Sequence, residues 1–290
     1  MNAVKRTFMP GSEWLYFKYY TGEKIADYIL VEILYPILKQ LKKKHYISKW
    51  FFLRYADPDF HLRIRLLVDD TKNIGYIIHL FYQQNCKLNS DNLLWKIQLD
   101  TYNRELERYG KYLIEDTETL FYADSECVLS ILKKMNGNED YRWMIALKLV
   151  NETLSDFYLT LEEKQKLMKD LAKSYKVEFG FNEYNSKQFN SKFRSNKQKI
   201  EAVLNNLLID EEFVSLFSPI NKRSKVFTGL VVKINKRFIC CNKKYSFVSS
   251  HLHMMLNRLF CMNNRQCEMI LYDFMYRYYT SELVKKRINI

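Results

Sequence analysis

Strand-like runs of apolar residues are interspersed with helically spaced ones through the first hundred residues, and helical spacing dominates further along the chain. Residues 14–20, Trp-Leu-Tyr-Phe-Lys-Tyr-Tyr, are aromatic-rich and end at Thr21-Gly22, the pattern of a strand and its turn. From about 23 to 43, Ile25, Ile29, Ile33, Leu34, Ile37 and Leu38 recur at helical spacing. Two strand-like runs follow, Trp50–Tyr55 and Leu62–Val68. The Ala56-Asp57-Pro58-Asp59 segment between them has turn chemistry, because Pro fixes φ and Asp can bond its own backbone. A hairpin is expected there, then a helix over 73–86 and a strand over 93–102.

Beyond residue 110 the pattern predicts helices at roughly 112–136, 139–156, 161–175, 187–208, 222–238, 246–261 and 265–285. Thr160 with Glu163 three positions on forms a capping-box signature for one of them. The polar stretch 182–198 reads as a loop. The expected fold class is α+β, a small antiparallel sheet from the N-terminal third packed with many helices. One domain over 1–290 is expected, with a sheet-forming part at about 12–110 and a helical part at about 111–290.

Composition sharpens this picture. Only 7 Gly and 4 Pro among 290 residues favour long helices and argue against a Gly-rich phosphate loop. The net charge of +13 points to acidic partners, a nucleic acid or an acidic peptide segment. From Lys187 to Lys244 thirteen Lys/Arg stand against four Asp/Glu, which a solvated helix face also explains. The six Cys form no CxxC pair and the chain opens without an apolar run, so reduced thiols of a cytoplasmic protein, several in the core, are expected. No apolar stretch is long enough to span a membrane.

Three constellations could carry chemistry. In His61-Leu62-Arg63-Ile64-Arg65 a strand would send Arg63 and Arg65 out of one face and Leu62, Ile64 and Leu66 out of the other. Adjacent guanidiniums suit a carboxylate or phosphate, although pairing with Asp57 or Asp59 on an exposed face would explain them as well. The segment Tyr102-Asn103-Arg104-Glu105-Leu106-Glu107-Arg108-Tyr109-Gly110 marks a strand giving way to a turn, where Glu105 and Arg108 could simply pair. Around Ser249–Arg258 a helix would align His253 and Asn257 with Ser250, giving an imidazole that could serve as acid or base or could be a satisfied core residue. His251 and His253 are two apart and point differently on a helix, so no metal site is assigned. GxGxxG, Walker, GxSxG, HExxH and CxxC signatures are absent.

In order, Trp14–Lys18, Trp50–Pro58, His61–Arg65, Tyr102–Gly110, Phe121–Ser125 and His253-Met254 with Asn257-Arg258 resemble one family. It is the thiopeptide-type bacteriocin biosynthesis domain, which is also the C-terminal elimination domain of class I lanthipeptide dehydratases. The likeness runs from about 12 to 280. It implies a lyase that removes glutamate from glutamylated Ser or Thr of a ribosomal precursor peptide, leaving dehydroalanine or dehydrobutyrine, without a cofactor. The family's elimination residues fall on Arg63, Arg65, Arg104 and His253, with Arg54, Tyr55, Tyr102, Asn257 and Arg258 as candidate substrate-binding positions. Because the large glutamylating domain is not in this sequence, the chain resembles the elimination half of a split system. Its expected partners are a precursor peptide with its leader and a separate glutamyl-tRNA-dependent glutamylating protein, with a homodimer as a further candidate. One departure is Lys111, where the family commonly has a second Gly. The resemblance also admits a [4+2] pyridine synthase of thiopeptide biosynthesis, and the basic region admits a non-catalytic module that recruits peptide or tRNA.

Overall fold

The computed structural model describes residues 4–207, 210–238 and 240–288, which fall into two compact units, Met1–Lys133 and Lys134–Ile290. Six strands lie in the first unit: β1 (Thr7–Phe8), β2 (Trp14–Thr21), β3 (Ile47–Ala56), β4 (Phe60–Val68), β5 (Leu94–Leu99) and β6 (Tyr102–Asn103). Four of them form an antiparallel sheet in the order β3-β4-β2-β5, and β1 pairs with β6. The short helix α1 (Ala26–Tyr28), the helix α2 (Tyr35–Lys43) and α3 (Ile74–Ser90) complete the elements around it, together with the one-turn α4 (Leu106–Tyr109) and α5 (Ile114–Met135). Between α1 and α2 the backbone widens into a π-helical stretch, Ile29–Leu34, just before Pro36. A wider turn there accommodates a residue that cannot donate to the helical ladder.

Period-two burial along β4 fixes the sheet's orientation. Leu15, Phe17 and Tyr19 of β2 and Leu62, Ile64 and Leu66 of β4 are buried on one face, where Phe81 of α3 stacks on Phe17 at 4.6 Å. Each such side chain contributes about 1.5–3 kcal/mol by leaving water. A one-residue slip would turn this entire set outward, so the register is strongly specified. The outer edge of β3 is covered by α5: the Phe52 N–H donates to Ser125 Oγ (3.3 Å) and Trp50 Nε1 donates to Glu126 (3.1 Å). Covering an edge in this way blocks further strand pairing.

The second unit is helical: α6 (Arg142–Asp156), α7 (Leu161–Glu178), α8 (Glu183–Leu204), α9 (Glu211–Ser215), α10 (Phe217–Asn235), α11 (Cys241–Leu259) and α12 (Asn264–Ile288). Residues 144–147, 149 and 150 of α6 are buried, and α7, α8, α10, α11 and α12 make up the rest of the bundle. The Thr160–Glu163 capping box is present at the start of α7.

Three expectations are corrected. The polar stretch 182–198 is helix rather than loop, because the Asn182 and Asn185 side chains cap each other's backbone N–H (3.2 and 3.1 Å) and start α8. Its buried end, Ile200, Val203 and Leu204, supplies the packing that its polar beginning lacks. The strand expected over 93–102 breaks after Leu99, where the Asp100 carboxylate turns to bond the Thr101 N–H (2.7 Å) and Lys18. All six cysteines are free, but only Cys127 is buried, because the helical positions of Cys86, Cys240 and Cys241 face solvent. Leu208, the last residue of the helix expected over 187–208, lies outside the described residues.

Candidate active site

The register of the sheet places Tyr16, Lys18 and Tyr20 of β2 opposite Arg65, Arg63 and His61 of β4. Phe51, Leu53 and Tyr55 of β3 stand opposite the same three residues on the other side. Directly opposed residues share a face, so the arginines lie on an aromatic floor. Arg65 has its guanidinium carbon 4.8 Å from the Tyr16 ring, 5.3 Å from Phe51 and 4.4 Å from Tyr102. Arg63 stacks on Tyr55 at 3.4 Å and donates from Nε to His61 Nε2 at 3.1 Å. His61 is fully buried with Nδ1 2.8 Å from the Asp59 carbonyl oxygen. That bond makes Nδ1 the protonated nitrogen and Nε2 the acceptor. Burial pushes the His61 pKa down and the Arg63 charge adds to this, against the Asp59 bond.

Neither Arg63 nor Arg65 meets a carboxylate among the described residues, and Arg65 Nε is buried without a hydrogen-bond partner. Asp100, which feels the Arg63 charge, is taken by Lys18. Pairing with Asp57 or Asp59, the ordinary explanation for two adjacent arginines, does not occur. Two half-buried cations held over ring faces in this way can receive an anion with more than one carboxylate.

Arg104 is placed differently. It is buried and grips Glu118 with both arms, Nε to Oε1 and Nη2 to Oε2 at 2.7 Å each. The Tyr102 hydroxyl donates to the same carboxylate at 2.8 Å. Burial and the Glu118 charge push the Tyr102 pKa far above its ordinary value. Arg104 thus fixes Glu118, Glu118 fixes Tyr102, and the Tyr102 ring underlies Arg65. Arg54 is also buried and pairs with Asp27 at 2.5 Å, whereas Tyr55 is exposed.

In the second unit His253 lies half-buried on α11 with Nδ1 2.8 and 3.1 Å from the two oxygens of Glu268 on α12. Glu268 is fully buried and also accepts from the Tyr175 hydroxyl (2.5 Å) and the Tyr272 hydroxyl (3.1 Å), both on Oε2. Arg265 Nη1 donates to the Tyr175 oxygen at 2.5 Å and the same guanidinium pairs with Glu178. Burial raises both tyrosines' pKa values well above the usual range, with the Glu268 charge adding to it. Asn257 is half-buried one turn beyond His253. Arg258 is fully buried and donates to the Met254 carbonyl at 2.8 Å.

A family model described as the C-terminal part of lantibiotic biosynthesis dehydratases matches residues 14–279. The chain belongs to this family. The nisin biosynthesis protein NisB of Lactococcus lactis subsp. lactis is 26% identical over 288 residues, covering 97% of this chain and 27% of NisB. The subtilin biosynthesis protein SpaB of Bacillus subtilis is 25% identical, covering 90% of this chain and 25% of SpaB. The chain therefore spans about a quarter of the length of these curated relatives. Among solved structures, the tRNA-dependent lantibiotic dehydratase MibB from Microbispora sp. 107891 superposes with a TM-score of 0.77 at 19% identity, over 97% of this chain and 29% of MibB. The pyridine synthase TbtD from thiomuracin biosynthesis superposes with a TM-score of 0.58 at 14% identity, over 93% of this chain and 99% of TbtD. Both likenesses are of fold.

For this member of the dehydratase family, the sheet gathers Arg63, Arg65 and Tyr55 onto one face, with the buried Tyr102 ring of β6 against Arg65, and the side chains of Arg54, Arg104 and Arg258 are engaged inside the protein. His253 and Asn257 share a helix of the other unit. The sequence reading missed His61, Glu118, Glu268, Tyr175 and Arg265. Glu118 could have been suspected as a buried-side acid of the helix over 112–136, but the Glu268–His253 contact crosses two helices and leaves no periodic trace. No group of three or more His, Cys, Asp or Glu that could hold a metal occurs among the described residues, and no described helix is long and apolar enough to cross a membrane.

Proposed function

We propose that this chain eliminates glutamate from glutamylated Ser and Thr residues of a ribosomal precursor peptide, giving dehydroalanine or dehydrobutyrine. The observation that carries the reading is the pair of guanidiniums, Arg63 and Arg65, without a carboxylate partner among the described residues. In the reaction the Cα–H bond of the acylated residue breaks and its electrons form the Cα=Cβ bond. The Cβ–O bond breaks with its pair leaving on glutamate, which departs as a carboxylate. Arg63 and Arg65 bind the glutamate carboxylates and stabilise the charge that builds on the oxygens. The family resemblance gives the proton role to His253, whose imidazole is half-buried within the helical unit with one ring nitrogen left free of Glu268. Arg104 acts at one remove, through Glu118 and Tyr102, by holding the ring beneath Arg65. The reading takes a leader-bearing precursor as substrate in the cytoplasm, and a separate glutamyl-tRNA-dependent protein as the source of the ester.

Mass spectrometry of a Ser-glutamylated model peptide after incubation with the protein tests this. Loss of glutamic acid is expected, slowed about 10²- to 10³-fold in Arg65→Ala, the scale of losing an oxyanion donor. An Arg65→Ala protein that eliminates at the full rate overturns the scheme. An unchanged peptide with the native protein moves the function to ring closure between two dehydroalanines, for which a bis-dehydroalanine peptide is the substrate to offer.

A further inference from the structure

Glu268 sits where it decides which nitrogen of His253 carries the hydrogen. Its two oxygens are unequally engaged. Oε2 accepts from the Tyr175 and Tyr272 hydroxyls and lies 3.1 Å from His253 Nδ1, whereas Oε1 makes the shorter contact to Nδ1, at 2.8 Å. Tyr175 cannot reverse its bond to Oε2, because its oxygen already receives Arg265 Nη1 at 2.5 Å. The chain from Arg265 through Tyr175 to Glu268 therefore has one direction, and a carboxylate at its end can only accept.

We infer that Glu268 is a positioning residue: it locks His253 as the Nδ1–H tautomer, so that Nε2 is the nitrogen that takes the proton. This rests on the reading that His253 carries the proton of elimination. Once Nε2 is protonated, the buried Glu268 carboxylate faces the imidazolium directly. The arrangement follows the logic of a carboxylate that orients a catalytic imidazole without itself being protonated.

The directionality gives an unusual test. In Glu268→Gln the amide oxygen must occupy the Oε2 position, where the tyrosine hydroxyls donate. The amide NH₂ then points at Nδ1 and donates to it, which inverts His253 to the Nε2–H tautomer. With ¹⁵N-labelled histidine, NMR of the neutral ring should show Nδ1–H for His253 in the native protein and Nε2–H in Glu268→Gln. Elimination of the glutamylated peptide should fall in kcat by up to about 10⁴-fold, the loss seen when a triad histidine is given the wrong tautomer, with KM little changed. Removing the constraint in Glu268→Gln/Tyr175→Phe should let the amide turn over and recover part of both the tautomer and the rate. A native protein whose neutral His253 is Nε2–H overturns the inference without any variant, and so does a Glu268→Gln protein that keeps the Nδ1–H tautomer. If the native protein shows Nδ1–H but eliminates nothing, the assigned reaction fails while the positioning by Glu268 stands.

Discussion

Arg63 lies flat on Tyr55, its guanidinium carbon 3.4 Å from the ring centroid, while its Nε hydrogen is spent on His61. The terminal nitrogens make no ion pair among the described residues, and the ring holds the guanidinium from one side. Replacing Tyr55 by Ala removes a contact worth about 0.5–1 kcal/mol at an exposed site. The expected outcome is a rise of about two- to five-fold in KM for a glutamylated peptide with kcat little changed, and Tyr55→Phe should retain native KM.

His61 makes this surface sensitive to acid. Its pKa is held below the ordinary 6.5, chiefly by burial and further by Arg63. Because the folded value lies below the unfolded one, the stability His61 contributes is complete above about pH 6.5 and is lost as pH falls from there toward the folded value. Protonation also removes the lone pair that receives Arg63 Nε. Thermal unfolding between pH 7.5 and 5 should show Tm falling with acidity, with a shallower fall in His61→Gln.

The Arg104–Glu118 bridge is a buried ion pair, 2.7 Å at both contacts. Removing one partner strands the other charge, which destabilises by about 3–5 kcal/mol. Arg104→Met and Glu118→Leu should each show that loss in urea unfolding. The double variant should lose clearly less than the sum of the two, because no uncompensated charge remains.

A surface of two unpaired cations should be steadied by the anion it lacks. Glutarate at 100 times its Kd should stabilise the native protein by about 2.7 kcal/mol and raise Tm accordingly. Arg63→Ala/Arg65→Ala should show no such rise, and acetate should be a poorer substitute because it bridges only one guanidinium.

The sheet was legible because its signal is local and redundant: Leu62, Ile64 and Leu66 alternate with Arg63 and Arg65, and one residue of slip would expose all three. The start of α7 was legible for the same reason, since Thr160 and Glu163 satisfy each other within four residues. The break at Asp100 was not, because it depends on Lys18, a residue of a different strand. The helix expected at 187–208 runs over Glu183–Leu204; its start was hidden by polar composition, being decided by a reciprocal pair of asparagines. Of the site, residue types could suggest Arg63 and Arg65 as an anion surface. They could not show that Arg104 is spoken for by Glu118, or that His253 meets Glu268, since both pairings join residues on separate elements.

The three rings beneath Arg65 come from β2, β3 and β6, and the arginine itself from β4. No single strand or hairpin of the chain carries that whole cradle. Capture of a dicarboxylate by Arg65 is therefore a reporter of completed strand assembly: during refolding, ligand affinity should emerge only when the last of the four strands has docked, after helical signal has already appeared.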